Sequence, residues 1–203
     1  MTRTDRQPRQ RLDPEERREA IASAAAAAFA AHPYDQVAIA TVAADAGASE
    51  ALIYRYFASK AELYATVVQL AIDDLAAKQA EALAGLGAGA SARDQVRASL
   101  MVYLDHIADH PTGWAAPLLG TSREPEPAAA IRRDARCDYV ERLRTLLQVD
   151  QSVRHEYALW GYFGFLDAAC LQWVALGCPE DDRWSLIDAA LGMLEGALGY
   201  WSR

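Results

Sequence analysis

The chain predicts an all-α fold on three observations. Apolar residues recur at helical spacing along most of its 203 residues, and no run alternates as a half-buried strand does. Alanine, the strongest helix former, supplies 43 residues, about a fifth of the whole. Helix punctuation recurs at short intervals, from Asp13-Pro14 through Gly47, Ser49 and Ser59 to Pro111, Pro125, Pro127 and Pro179. With 52% hydrophobic residues the chain can bury a sizeable core, which excludes a disordered class.

Residues 1–12 hold Arg3, Arg6, Arg9 and Arg11 against Asp5 and read as a flexible arm of net charge +3. Such an arm can track phosphates or enter a minor groove; otherwise it is a solubilising tail. Asp13-Pro14-Glu15-Glu16 places a carboxylate N-cap, a proline at the first helical position and acids in the first turn, so a helix runs from there to about Ala31, where His32-Pro33 stops it. Two short helices are expected, Ile39 to Ala46 and Glu50 to Phe57. Between them Gly47 can take a left-handed turn and Ser49 can cap the second. Ser59 with Glu62 forms a capping box that opens a fourth helix reaching about Leu83, which connects the two halves of the chain. After the Gly/Ala loop 84–90, five more helices are expected at 91–109, 111–119, 125–147, 152–176 and 180–201. The domains are thus an arm at 1–12, a helix-turn-helix unit at 13–64 and a helical body at 65–203.

The stretch Thr41-Val42-Ala43-Ala44-Asp45-Ala46-Gly47-Ala48-Ser49, followed by Ile53-Tyr54-Arg55-Tyr56-Phe57-Ala58-Ser59-Lys60-Ala61-Glu62-Leu63, resembles the signature of TetR-family transcriptional regulators. The resemblance spans roughly residues 17–64 and includes Ile21, Ala24, Ala25, Phe29, Tyr34 and Val37. It implies a helix-turn-helix that reads double-stranded DNA, a homodimer, and a cavity for a small-molecule effector in the carboxy-terminal half. The residues agree with a DNA role. A helix starting at Ser49 spans barely two turns, so Ser49, Glu50, Ala51 and Leu52 can enter a major groove, with Thr41 and Arg55 beside them. Tyr54 and Tyr56 can reach phosphate oxygens through their hydroxyls, or pack in the core. Lys60, one of only two lysines, stands at a helix N-terminus suited to a phosphate. The chain departs from the family pattern at Ala38 and Ala40, where Thr and a basic residue are frequent, and at Glu50, Ala51 and Leu52. Glu50 either accepts from a cytosine or complements its own helix dipole.

Beyond Leu63 no motif is strong. Tyr103, His106, Trp114, Tyr139, Trp160, Phe163, Asp167 and Cys170 are candidate ligand-binding residues, an aromatic lining with scattered polar groups suited to a small apolar or aromatic effector. Tyr157, Tyr162, Phe165 and Trp173 belong to the same concentration of aromatics, any of which can equally be core. Asp167, inside the most apolar helix, needs either an arginine from 125–147 or a cationic group of a ligand. His106 and His110 share one helix face, but no third metal ligand is apparent; His110 is explained as a helix-end cap, and neither metal nor cofactor is expected. Leu166, Trp173, Ile187, Leu191, Leu194 and Leu198 are candidate dimer-interface residues. Gly192, Gly196 and Gly199 would admit a close helix, as in an intermolecular four-helix bundle through the last two helices.

Charge and cysteine usage set the compartment and the partners. The formal charge of −8 excludes a nonspecific nucleic-acid coat; the arm carries +3, residues 13–64 carry −4 and the body −7. Cys137, Cys170 and Cys178 form no CxxC pair, which favours a reducing cytoplasm. The apolar run from Tyr157 to Val174 contains Asp167 and Gln172 and reads as a buried helix rather than a membrane span. The expected function is a ligand-responsive repressor released from a palindromic operator. The alternatives are a helical dimerisation module without DNA binding, or a helical enzyme using Asp167, Cys170 and a nearby histidine, for which no nucleophile-base set has local support.

Overall fold

A computed structural model describes residues 13–119 and 124–199; the arginines of the arm and Trp201 lie outside the described residues. Among the described residues there are nine α-helices and no strand. In α1 (Pro14–Ala31) the expected cap is complete: Asp13 Oδ1 accepts from the Glu16 N–H at 2.9 Å and Glu16 accepts from the Asp13 N–H at 3.0 Å. Helices α2 (Ile39–Asp45) and α3 (Glu50–Tyr56) flank a turn in which Gly47 has φ +58°, a conformation that favours glycine. Ser49 Oγ caps α3 by accepting from the Leu52 N–H at 3.2 Å.

Helix α4 (Lys60–Ala84) is capped by Ser59, whose Oγ accepts from the Glu62 N–H at 3.1 Å. The reciprocal half of the box differs from expectation, because the Glu62 carboxylate accepts from Ala58, one residue before the cap, at 2.8 Å. Helices α5 (Ala92–Asp109), α6 (Pro111–Leu119), α7 (Glu126–Leu147) and α8 (Val153–Ala175) follow the expected order. The last helix is shorter than 180–201. A 3-10 turn covers Glu180–Asp182, α9 runs Arg183–Leu198, and Gly199 ends it at φ +89° in a left-handed cap.

Two cores form. The head buries Ile21, Phe29, Val42, Ile53, Phe57 and Leu63, each worth about 1.5–3 kcal/mol when withdrawn from water. The body buries Leu100, Leu104, Leu159, Leu166, Leu191 and Leu194, with Tyr162 and Trp173. The boundary drawn at 64/65 falls inside α4, and Ala65, Val67 and Val68 still pack in the head's core, joined by Ala128 and Ile131 of α7. Helix α6 also meets the head: a Cβ at Gly113 would lie 2.9 Å from the Phe29 carbonyl oxygen, so the two backbones touch there.

Candidate nucleic-acid interface and ligand cavity

The head presents α3 on its surface. Ile53 alone is its buried residue, while Glu50, Ala51, Tyr54 and Arg55 are exposed and Leu52 and Tyr56 are half-buried. Thr41 and Ser49 are exposed beside them, so the nine DNA-binding candidates of the head occupy one continuous region except that Tyr56 also packs against the core and Lys60 is partly covered. Little positive charge is left for DNA. Of the basic residues in 13–64, Arg17 reaches the Ala46 carbonyl and Arg18 lies 5.0 Å above the Phe57 ring, leaving Arg55 and Lys60. Lys60 Nζ stands 4.3 Å above the Tyr34 ring, and burial lowers its pKa against the pull of Asp35.

Behind Lys60 runs a connected set of groups. The Tyr34 ring lies 5.1 Å from that of Tyr64, which also meets Phe29 at 4.8 Å. The Tyr64 hydroxyl donates to Glu124 at 3.3 Å, and Arg132 Nε donates to the same oxygen at 2.8 Å. Burial works against the Arg132 charge, but Glu124 and Tyr64 outweigh it and its pKa is raised. Arg132 is also a wall of the body's cavity.

That cavity has a volume of about 480 Å³ and lies between α4, α5, α6, α7 and α8. Of the eight residues proposed to bind a ligand, Tyr103, His106, Trp114, Tyr139, Phe163 and Asp167 line it. Trp114 Nε1 donates to the Tyr103 hydroxyl at 3.0 Å, fixing both rings. Asp167 accepts from both guanidinium nitrogens of Arg136, at 2.9 and 3.1 Å, so the α7 arginine is its partner. His106 is held below the usual imidazole pKa, first by burial, then by His110 and Lys78.

Two ligand expectations do not reach the cavity. Trp160 is exposed on the outer side of α8, where its Nε1 donates to Glu156 at 2.8 Å. Cys170 is enclosed in the body's core, where burial, Asp167 and Cys178 push its thiol up to about 12. The interface residues are also displaced: Leu166, Trp173, Ile187, Leu191, Leu194 and Leu198 are at most 4% exposed within one chain, so they form its own core. Helical spacing marked an apolar face, and within one chain that face turns inward. The outward side of α8 and α9 carries Tyr157, Gly161, Gly164, Ala168, Ala189, Gly192 and Gly196, and a Cβ at any of these four glycines would meet nothing. His110 Nδ1 lies 3.2 Å from the His106 carbonyl oxygen, consistent with a helix-end role, and no metal-binding group of three side chains occurs among the described residues.

The sequence reading expected an arginine of 125–147 beside Asp167 but did not place Arg132, Arg136 or Arg142 of α7, nor the apolar side of α4, on the cavity wall, and all of them line it. Their signal was present: 132, 136, 139 and 143 recur at helical spacing, a stripe that places arginines and Tyr139 on the same side as the apolar Leu143.

Residues 21–67 match the family model for bacterial regulatory proteins of the tetR family. No curated protein sequence matches the chain. The fold is similar to that of a tetR-family transcriptional regulator from Streptomyces coelicolor, with TM-score 0.75 and 22% identity over 92% of this chain and 80% of that one. It is similar also to a TetR-like transcriptional regulator from Rhodococcus sp. RHA1, with TM-score 0.66 and 24% identity over 93% and 97%. A third is the transcriptional regulator FadR from Bacillus subtilis in complex with stearoyl-CoA, with TM-score 0.66 and 18% identity over 89% and 97%. No helix among the described residues is long and apolar enough to cross a membrane.

Proposed function

We propose that this chain, whose head is of the tetR-family type, is a homodimeric repressor that binds a pseudo-palindromic DNA operator in the cytoplasm and releases it when an effector fills the cavity. The observation that carries the reading is the joining of an exposed two-turn helix to a hollow body through shared helices. Helix α4 contributes Leu63 to the head's core and Val68, Ile72 and Leu75 to the cavity wall. Helix α6 contributes Trp114 and Pro117 to that wall and touches α1 at Gly113. A ligand that needs more room between α4, α6 and α7 displaces elements on which the head is mounted. Release follows only if the ligand prefers the displaced arrangement.

The dimer is assigned to the glycine-bearing outer sides of α8 and α9, where two helices from each chain can approach closely. Two-fold protein symmetry then demands a two-fold symmetric site. Glu50, Ala51 and Leu52 read bases, Thr41, Ser49, Tyr54, Arg55, Tyr56 and Lys60 hold phosphates, and Arg3, Arg6, Arg9 and Arg11 add sequence-independent attraction. A solved neighbour that holds stearoyl-CoA supports an effector with a large apolar body.

Fluorescence anisotropy with operator duplexes tests the assignment. Lys60→Ala should weaken all sequences alike, by about tenfold, and reduce the salt dependence. Leu52→Ala should change the ranking of sequences. Unchanged ranking removes α3 from base reading, and no binding by the wild type leaves a helical dimerisation module.

A further inference from the structure

The cavity has two unlike walls. Along α4 it is lined by Val68, Ala71, Ile72, Leu75 and Leu83, interrupted by Gln79, whose amide is already committed to the Ser99 carbonyl at 3.0 Å. From Val68 to Leu83 the helix advances about 22 Å, so the apolar wall is long. Facing it, α7 presents Arg132, Arg136 and Arg142. Two of these are neutralised, Arg132 by Glu124 and Arg136 by Asp167.

Arg142 differs. Among the described residues no carboxylate pairs with it; its Nε donates only weakly to the Asp138 carbonyl, at 3.4 Å, and its guanidinium rests 4.3 Å from the centre of the Tyr139 ring. It is exposed as well as cavity-lining, which puts it where the cavity meets solvent. Beside it the Tyr139 hydroxyl is buried; the Arg142 guanidinium is the polar group next to its oxygen, and because a guanidinium only donates, the O–H hydrogen is left without an acceptor, a costly state for a polar group. Among the described residues Asp167 is the one carboxylate on the cavity wall, and Arg136 holds it, so a cationic ligand finds no free counter-charge among them. Among the described residues, a cation without a carboxylate and a hydroxyl donor without an acceptor therefore stand together at one end of an apolar trough.

Resting on the regulator reading, we infer that the effector is an elongated aliphatic molecule with an anionic group, its chain along α4 and its anion received by the Arg142 guanidinium and the Tyr139 hydroxyl. The anion can be the carboxylate of a free fatty acid or the phosphates of an acyl thioester; both satisfy the same two donors.

Isothermal titration of the purified full chain distinguishes these. Palmitate, palmitoyl-CoA, the neutral 1-hexadecanol and the cationic hexadecylamine are titrated below their aggregation limits. At least one anionic probe is expected to bind about tenfold or more tightly than both the alcohol and the amine, and which anion does so identifies the source. Arg142→Met, which keeps the side-chain stem and alters an exposed position, should erase most of that preference and leave the alcohol's affinity within about twofold. Tyr139→Phe should cost the anion several-fold. Equal binding of alcohol and acid, tighter binding of the amine, or an Arg142→Met effect equal for all probes overturns the assignment. DNA release is read separately: an anion that binds at Arg142 and leaves operator affinity unchanged overturns the release mechanism while upholding the ligand class.

Discussion

The head and the body are built from the same kind of helix, yet one is filled and the other is hollow. Phe57, Ile21, Ile53 and Leu63 are at most 1% exposed in the head's core, whereas the five helices α4 to α8 stand apart around about 480 Å³. A filled core fixes geometry to the tolerance that base reading needs. A hollow core forgoes packing contacts and keeps alternative helix positions close in energy, which a switch requires. The two meet at few places, through α4, the start of α7 and the Gly113 contact of α6, so movement in the body reaches the head by a small number of routes.

The strongest way to break this contrast is to hollow the head. Phe57→Ala should cost about 3–5 kcal/mol in denaturant unfolding and abolish DNA binding, because nothing in a closed core compensates the lost ring. Gly113→Ala comes next. Its Cβ must displace backbone rather than a flexible side chain, so a loss of about 1–3 kcal/mol is expected, together with altered effector response at unchanged ligand affinity. A protein as stable and as responsive as wild type would remove α6 from the coupling.

Asp167→Ala acts on the body alone. It leaves Arg136 without its carboxylate, and since both groups keep about a quarter to a third of their side-chain surface, solvent limits the cost to about 1–2 kcal/mol. A double-mutant cycle with Arg136→Met measures the coupling directly.

The smallest effect is a pH dependence. Because burial holds the folded His106 pKa below 6.5, the unfolded chain takes up this proton first as pH falls, so stability is fully present above pH 6.5 and declines as acidity rises toward the folded pKa. His106→Gln should flatten that acid limb in thermal melts recorded below pH 6.5, while the melts of the two proteins run parallel above it.

What was legible in the sequence divides along the same line. Helix order and nearly every boundary were marked by local chemistry, the Asp13 and Ser49 caps and the Gly47 turn among them, and the exposed candidate residues of the head followed from a contiguous motif. The body's site is assembled from five helices, so no short segment announces it. Tyr103, His106, Trp114, Tyr139, Phe163 and Asp167, which stood out as aromatics and a lone acid in apolar stretches, do line the cavity. Trp160 and Cys170 were misplaced because composition says nothing about which side of α8 faces inward. The same ambiguity put Leu166, Ile187 and Leu194 at an interface when they fill the chain's own core. Helical periodicity reports that a face is apolar, and two apolar partners, the same chain or a second copy, satisfy it equally.

The central claim, a two-fold symmetric reader of DNA, is met most directly by selection of duplexes from a random-sequence pool on the purified full chain, followed by sequencing of those retained. The account predicts an enriched motif of two inverted half-sites spaced by about one turn of the DNA helix or a multiple of it, bound by whole dimers. A retained pool with no enriched sequence, or a motif without inverted symmetry, contradicts it.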